Sequence, residues 1–309
     1  MVPNPQPVEK VTPPLEEVPA KTIVTRGPGG SWFGTDYNMN LYRGCCHGCI
    51  YCDSRSSCYG IDGFDRVRVK KDALRIVRDE LRRKVKKGVV GSGAMSDPYN
   101  PFERELLLTR HSLELIEAYG FGAAVATKGT LVERDIDLFQ SIAGHAPVLV
   151  KVTVTAADDA LAARLEPRAP SSSSRFEAIA ALSKAGVFCG VLLMPVLPFL
   201  TDGEENIREI VRRAAAAGAR FVYPGFGVTL RENQRDWFYD RLDETFPGEG
   251  LRARYERRYG QRYSCGAPRL KALWRVFQEE CGRLGVLYEM RDIVRAYRLG
   301  YGEEQLSLF

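Results

Sequence analysis

The chain has 309 residues, 45% of them hydrophobic and 27% charged, with a net charge of +5 at neutral pH. That composition is enough for a sizeable core, permits an anionic partner without demanding one, and contains no apolar run of about 18 residues that would cross a membrane. Eight cysteines in a chain that opens MVPNPQPVEKVTPPLEEVP, without the apolar stretch of a signal peptide, argue against a disulfide framework and for metal binding or catalysis in a cytoplasmic protein.

Residues 1–20 are rich in proline and poor in bulky apolar side chains, and read as a disordered or loosely attached arm. GPGG over 27–30 then marks a turn, and the arm as a domain is set at 1–35. A strand is expected near Asn38–Tyr42. Short buried strands follow at Val89–Ala94, Gly122–Thr127, Val148–Thr155, Val187–Met194 and Arg220–Tyr223. Between them, Leu74, Val77, Leu81 and Val85 fall at helical spacing, and 103–118, 133–142, 174–185 and 203–217 are also helix-like. Thr201 with Glu204 forms a capping-box pattern for the last of these. Strands alternating with helices imply an α/β fold with a parallel sheet. Six units over 36–230 are too few for a closed eight-fold barrel. A partial (β/α)6 barrel is expected, with its chemistry at the C-terminal strand ends and a mostly helical, basic C-terminal lobe over 231–300.

The segment with the most chemistry is Asn40-Leu41-Tyr42-Arg43-Gly44-Cys45-Cys46-His47-Gly48-Cys49-Ile50-Tyr51-Cys52. Cys45, Cys49 and Cys52 have the spacing C-x3-C-x2-C. Three thiolates in one loop can ligate three irons of a cubane cluster and leave the fourth open, as a metal centre that binds a substrate requires. Gly44 and Gly48 let such a loop wrap closely. The alternative is a zinc site completed by His47 or Cys58, in a nucleic-acid-binding module with no enzymatic role.

This motif resembles the radical S-adenosylmethionine (SAM) superfamily. The stretch YRGCCHGCIYC, with GSGAMSDPYNPFE, TKGTLVERD, VKVTVT, LEPRAPSSSSR and MPVLPFLTD, is similar to its spore photoproduct lyase family, a DNA-repair branch. The resemblance implies a 4Fe–4S cluster that reductively cleaves SAM to a 5′-deoxyadenosyl radical, an electron donor such as flavodoxin or ferredoxin, and DNA as substrate. It implies Tyr51 near the adenine, Ser96 and Asp97 at the SAM amino group, Lys128 at its carboxylate, and Thr153 and Thr155 at the ribose. Arg175, with Glu166 and Arg168, would close the site or form a structural ion pair. One position departs from the family: Met95 stands where a cysteine donates hydrogen to the product radical. Cys265 is the substitute expected as a catalytic thiol, ahead of Cys281. A radical SAM enzyme that modifies a protein, peptide or small molecule is the other reading.

Beyond the core, Tyr255, Tyr259 and Tyr263 recur among Arg254, Arg257, Arg258 and Arg262. This pattern suits phosphates and unpaired bases, or else a helix whose tyrosines pack inward. The chain ends in a tail, 301–309, whose Gln305-Leu306-Ser307-Leu308-Phe309 resembles the peptide by which bacterial repair proteins bind the sliding clamp.

Overall fold

The computed structural model describes residues 15–27 and 32–301. Its frame is six parallel strands: β1 (Tyr37–Met39), β2 (Val89–Ser92), β3 (Gly122–Thr127), β4 (Val148–Thr153), β5 (Cys189–Leu193) and β6 (Phe221–Pro224). They pair in chain order, and Val24–Arg26 adds an antiparallel edge beside β1. Among the described residues the two edges of this sheet do not pair with each other, so six β/α units leave it open. Crossovers of one hand between successive strands put the helices on a single face. β4 shows the consequence: Val148, Val150 and Val152 join the core beneath the helices, whereas Leu149 turns to the opposite, inner face. Lys151 and Thr153, two and four residues on, share that inner face by the two-residue period of a strand.

The connecting helices are α1 (Ala73–Arg83), α2 (Leu108–Ala118), α3 (Ile136–Ala143), α4 (Asp159–Leu165), α5 (Ser172–Lys184) and α6 (Glu204–Ala216). On α1 the buried stripe is Ala73, Val77 and Leu81; Val85 lies past the helix end and is exposed. The helix expected over 103–118 is broken at Leu107, at φ 54°. Glu103 causes the break: its carboxylate accepts the Thr109 N–H at 2.6 Å, which caps α2, and also the Tyr42 hydroxyl. α4 was not foreseen; Asp158 starts it by accepting the Leu161 N–H at 2.7 Å. The Thr201 capping box does not form. Thr201 is fully buried with its hydroxyl accepting the Leu197 N–H at 2.7 Å, and Gly203 holds the N-cap of α6.

The C-terminal third contributes α7 (Glu232–Thr245), α8 (Leu251–Tyr259), α9 (Leu270–Leu284) and α10 (Met290–Arg298). This helical part packs on the core at several places. α7 and α8 share an apolar cluster with Cys49, Ile50 and Tyr51. α9 packs on α6, with Glu280 ion-paired to Arg208 and Arg212. α10 places Ile293 and Tyr297 against Phe33, Leu149 and Phe221, plugging the inner face of the sheet. The described part of the expected loose arm is docked. Glu17–Val18 pairs with Val69 and Lys70, and the Ile23 and Val24 amides both donate to the Glu80 carboxylate.

Candidate active site

The cysteine loop follows the short strand Tyr42–Arg43. Gly44 has φ +82°, and a Cβ there would stand 2.3 Å from the Arg66 carbonyl oxygen, so no other residue fits without moving backbone. Main-chain bonds pin the loop: Cys45 N–H to Phe64 O at 2.8 Å, Ile50 N–H to Leu165 O at 3.0 Å, and Arg168 N–H to His47 O at 3.1 Å. Cys45, Cys49 and Cys52 line one cavity of about 370 Å³ at the C-terminal strand ends. Ser96 and Asp97 after β2, Lys128 after β3 and Thr153 at the end of β4 line the same cavity. Cys46 and Cys58 do not.

Asp97 ties these segments together. Its Oδ1 accepts the Tyr99 N–H at 2.9 Å and the Thr127 hydroxyl at 2.5 Å, and its Oδ2 accepts the Lys128 N–H at 2.7 Å and lies 3.4 Å from His47 Nδ1. Ser96 donates to the Tyr42 carbonyl at 3.1 Å. The Lys128 ammonium lies 5.7 Å from the Tyr51 ring centre. Burial disfavours its charge, but the negative charge of Cys49 once ionised and of Glu166 beside it favours the protonated form. Burial pushes the Cys45 thiol up to about 12 and the Cys49 thiol further. Such thiols ionise only when something positive compensates them, and a bound metal centre does so. Among the described residues no three Cys, His, Asp or Glu side chains converge on a single metal-ion position. A zinc ion needs that convergence. A cubane does not, because each thiolate binds a different iron.

Four expected site residues lie elsewhere. Tyr51 is buried beneath the loop, and its hydroxyl donates to Glu166 rather than facing the cavity. Thr155 is fully buried and donates to the same carboxylate at 3.3 Å. Arg175 is only 1% exposed, with its donors taken by the carbonyls of Pro170 and Thr153 and by an ion pair to Glu166 at 2.5 Å. These contacts use four of its five N–H groups, which makes it a structural ion pair that supports the loop from below. Cys265 is fully buried in the cluster of α7 and α8, its thiol on the Arg262 carbonyl, and does not line the cavity. Cys281 is buried in the main core. Met95 does line the cavity.

The tyrosine stripe turns inward. Tyr255 donates to the Pro198 carbonyl at 2.9 Å and Tyr259 to that of Gly266 at 2.5 Å, leaving Tyr263 exposed. Arg254, Arg257 and Arg258 line an external groove with Phe199, in the segment that leaves β5. None of the three has an ion-pair partner among the described residues, whereas Arg252 on the same helix has Asp240, Asp243 and Glu256. Gln305, Leu306, Leu308 and Phe309 lie outside the described residues. Sequence reasoning missed Lys151, which lines the cavity although it is only 2% exposed. The available signal was a lone lysine inside the run VLVKVTV.

A model of the radical SAM superfamily matches residues 39–221. An uncharacterised protein of Mycobacterium tuberculosis is 34% identical over 252 residues, 79% of this chain and 73% of the relative. Two solved structures share the fold. A spore photoproduct lyase mutant has a TM-score of 0.62 at 14% identity, over 87% of this chain and 78% of that one. Spore photoproduct lyase complexed with dinucleoside spore photoproduct has 0.58 at 16%, over 81% and 74%. The open (β/α)6 frame, the cysteine loop at its C-terminal strand ends and the matched span agree: the chain belongs to the radical SAM superfamily, enzymes that use a 4Fe–4S cluster and S-adenosylmethionine.

Proposed function

We propose that this radical SAM enzyme acts on DNA. The radical SAM chemistry in this reading is carried by the convergence of Cys45, Cys49, Cys52, Ser96, Asp97, Lys128 and Thr153 on one cavity. Bound cluster and SAM supply one-electron cleavage of the sulfonium and abstraction of a hydrogen atom. The chain's own part is to hold and orient. The three thiolates hold three irons, Lys128 pairs with the SAM carboxylate, the Ser96–Asp97 turn receives its amino group, and Thr153 reaches the ribose. Glu166 and Arg175 fix the loop beneath these groups, and the cavity walls exclude water.

DNA is supported by the fold shared with spore photoproduct lyase and by the three unpaired arginines beside Phe199. With Met95 on the cavity wall and Cys265 buried away from it, a repair cycle closed by a thiol of this cavity is not what the site is built for. The tail residues Gln305, Leu306, Leu308 and Phe309 are proposed to recruit the protein to the sliding clamp, and flavodoxin or ferredoxin to reduce it. The test is anaerobic reconstitution followed by SAM cleavage assayed with and without ultraviolet-damaged DNA. Faster cleavage with DNA is expected. A rate indifferent to DNA sinks the DNA reading, and a colourless protein that binds zinc in place of iron sinks the assignment of Cys45, Cys49 and Cys52 as cluster ligands.

A further inference from the structure

Lys151 stands one inward-facing position below Thr153 on β4, in the same cavity as the cysteines. It is 2% exposed, and among the described residues it has no carboxylate in ion-pairing range and no hydrogen-bond acceptor. Its ammonium lies over the face of Phe33, whose ring centre is 4.9 Å away. An ammonium this buried is costly without an anion and readily sheds its proton unless one is bound. The ring beneath it is held at a cost as well. Phe33 sits at φ 53°, a left-handed conformation unusual for an aromatic residue, and its carbonyl accepts the Tyr297 hydroxyl at 2.7 Å. Trp32, edge-on to Phe33 at 5.1 Å and 46% exposed, lines the cavity too, as does Asn38.

SAM has one carboxylate, and Lys128 beside Cys49 is placed for it. The deeper lysine is left for a second anion. We propose that Lys151 and Trp32 form a nucleotide subsite at the cavity floor, the ammonium taking a phosphate-ester oxygen and the indole stacking on the base. A neutral acceptor would leave the buried charge uncompensated; a phosphate ester neutralises it, and the neighbouring indole selects a ligand with a flat ring. The phosphate ester comes either from a DNA strand or from a free nucleotide. The proposal rests on the DNA reading for the first source only.

The test uses the full chain with its cluster reconstituted and SAM bound. Calorimetry compares thymidine 5′-monophosphate, thymidine and a short single-stranded oligothymidylate, on wild type and on Lys151→Met. Wild type is expected to bind the monophosphate at least about tenfold more tightly than thymidine, equivalent to about 1.4 kcal/mol. Lys151→Met should erase that preference while SAM affinity and cluster absorbance stay unchanged. Trp32→Ala should weaken nucleoside and nucleotide alike. No preference for the monophosphate in wild type overturns the subsite, a result independent of how the variant folds. A fall in SAM affinity in Lys151→Met also overturns it, because the lysine then serves the cofactor. Oligothymidylate binding without monophosphate preference removes the subsite and leaves the DNA reading standing. A Lys151-dependent monophosphate preference with no oligothymidylate binding keeps the subsite, assigns it to free nucleotides and removes the DNA reading.

Discussion

Glu166 and Arg175 are each at most 1% exposed and form a pair at 2.5 Å under the cysteine loop. Removing Arg175 leaves the buried Glu166 carboxylate with Lys128 as its remaining cation, which costs up to about 3–5 kcal/mol. Arg175→Ala should therefore lower the melting temperature sharply; an unchanged melt would return Arg175 to ligand binding. Lys151 makes the opposite prediction. Burial lowers its pKa from 10.5 to about 7. Between those values the folded protein binds fewer protons than the unfolded chain, so this contribution to stability rises as pH rises through the window. Lys151→Met lacks the liability. Without ligand it should melt above wild type near about pH 6, with the gap closing toward about pH 10. A gap independent of pH would mean that Lys151 is compensated. At the cluster, Cys45→Ala, Cys49→Ala and Cys52→Ala should each abolish bound iron, because each removes one of three thiolates, whereas Cys46→Ala and Cys58→Ala should retain it. Lys128→Ala should keep the cluster and weaken SAM about ten- to a hundred-fold by titration, the worth of a charge-assisted hydrogen bond.

Among the elements, the turn leaving β2 is the least tolerant. Gly93 has φ +91°, and a Cβ there would lie 1.9 Å from the Ala126 carbonyl oxygen. Gly120, at φ +70° before β3, has nothing within 4 Å of the same added atom. Gly120→Ala should thus cost only backbone strain, of the order of 1 kcal/mol. Gly93→Ala must also part β2 from β3, and should lose SAM binding together with several kcal/mol of stability by thermal melt. Similar losses in the two variants would show that the turn yields. The strands were legible because buried parallel strands read as short runs rich in Val, Ile and Leu, as in VLVKVT, where only Lys151 interrupts the apolar run before Thr153. What was illegible depended on partners distant in sequence. Glu103 breaks the helix expected over 103–118 only because it meets Tyr42 and Thr109. Thr155 falls past the end of β4 at Thr153, so the strand period no longer sets it beside Thr153, and its hydroxyl donates to Glu166. The cysteines were legible from their C-x3-C-x2-C spacing, and Ser96, Asp97 and Lys128 from the resemblance to the spore photoproduct lyase family; all of them line one cavity at the strand ends.

For the molecule as a whole, the open sheet has its inner face filled from below by α10 and its cysteine loop covered by α7 and α8. The groove of Arg254, Arg257 and Arg258 is formed with Phe199, which follows β5 and so belongs to the cavity end of the sheet. A DNA strand that enters the cavity would run beside it. Because Tyr255 and Tyr259 are buried, the groove offers mainly charge, with Arg254 lying over the half-buried Phe199 ring at 4.3 Å. Binding there should be governed by phosphates and tolerant of sequence. Each phosphate neutralised contributes about 0.7 to the slope of log affinity against log salt for a single strand. Replacing all three arginines by alanine should therefore flatten that slope by about 2 and weaken binding at low salt. The arginines are exposed and bear no ion pairs, so melting temperature and iron content should not change. A variant that keeps the wild-type slope would move the DNA path away from this groove. If wild type itself has a flat salt profile, no backbone is being tracked, and the substrate is a molecule small enough to enter the cavity alone.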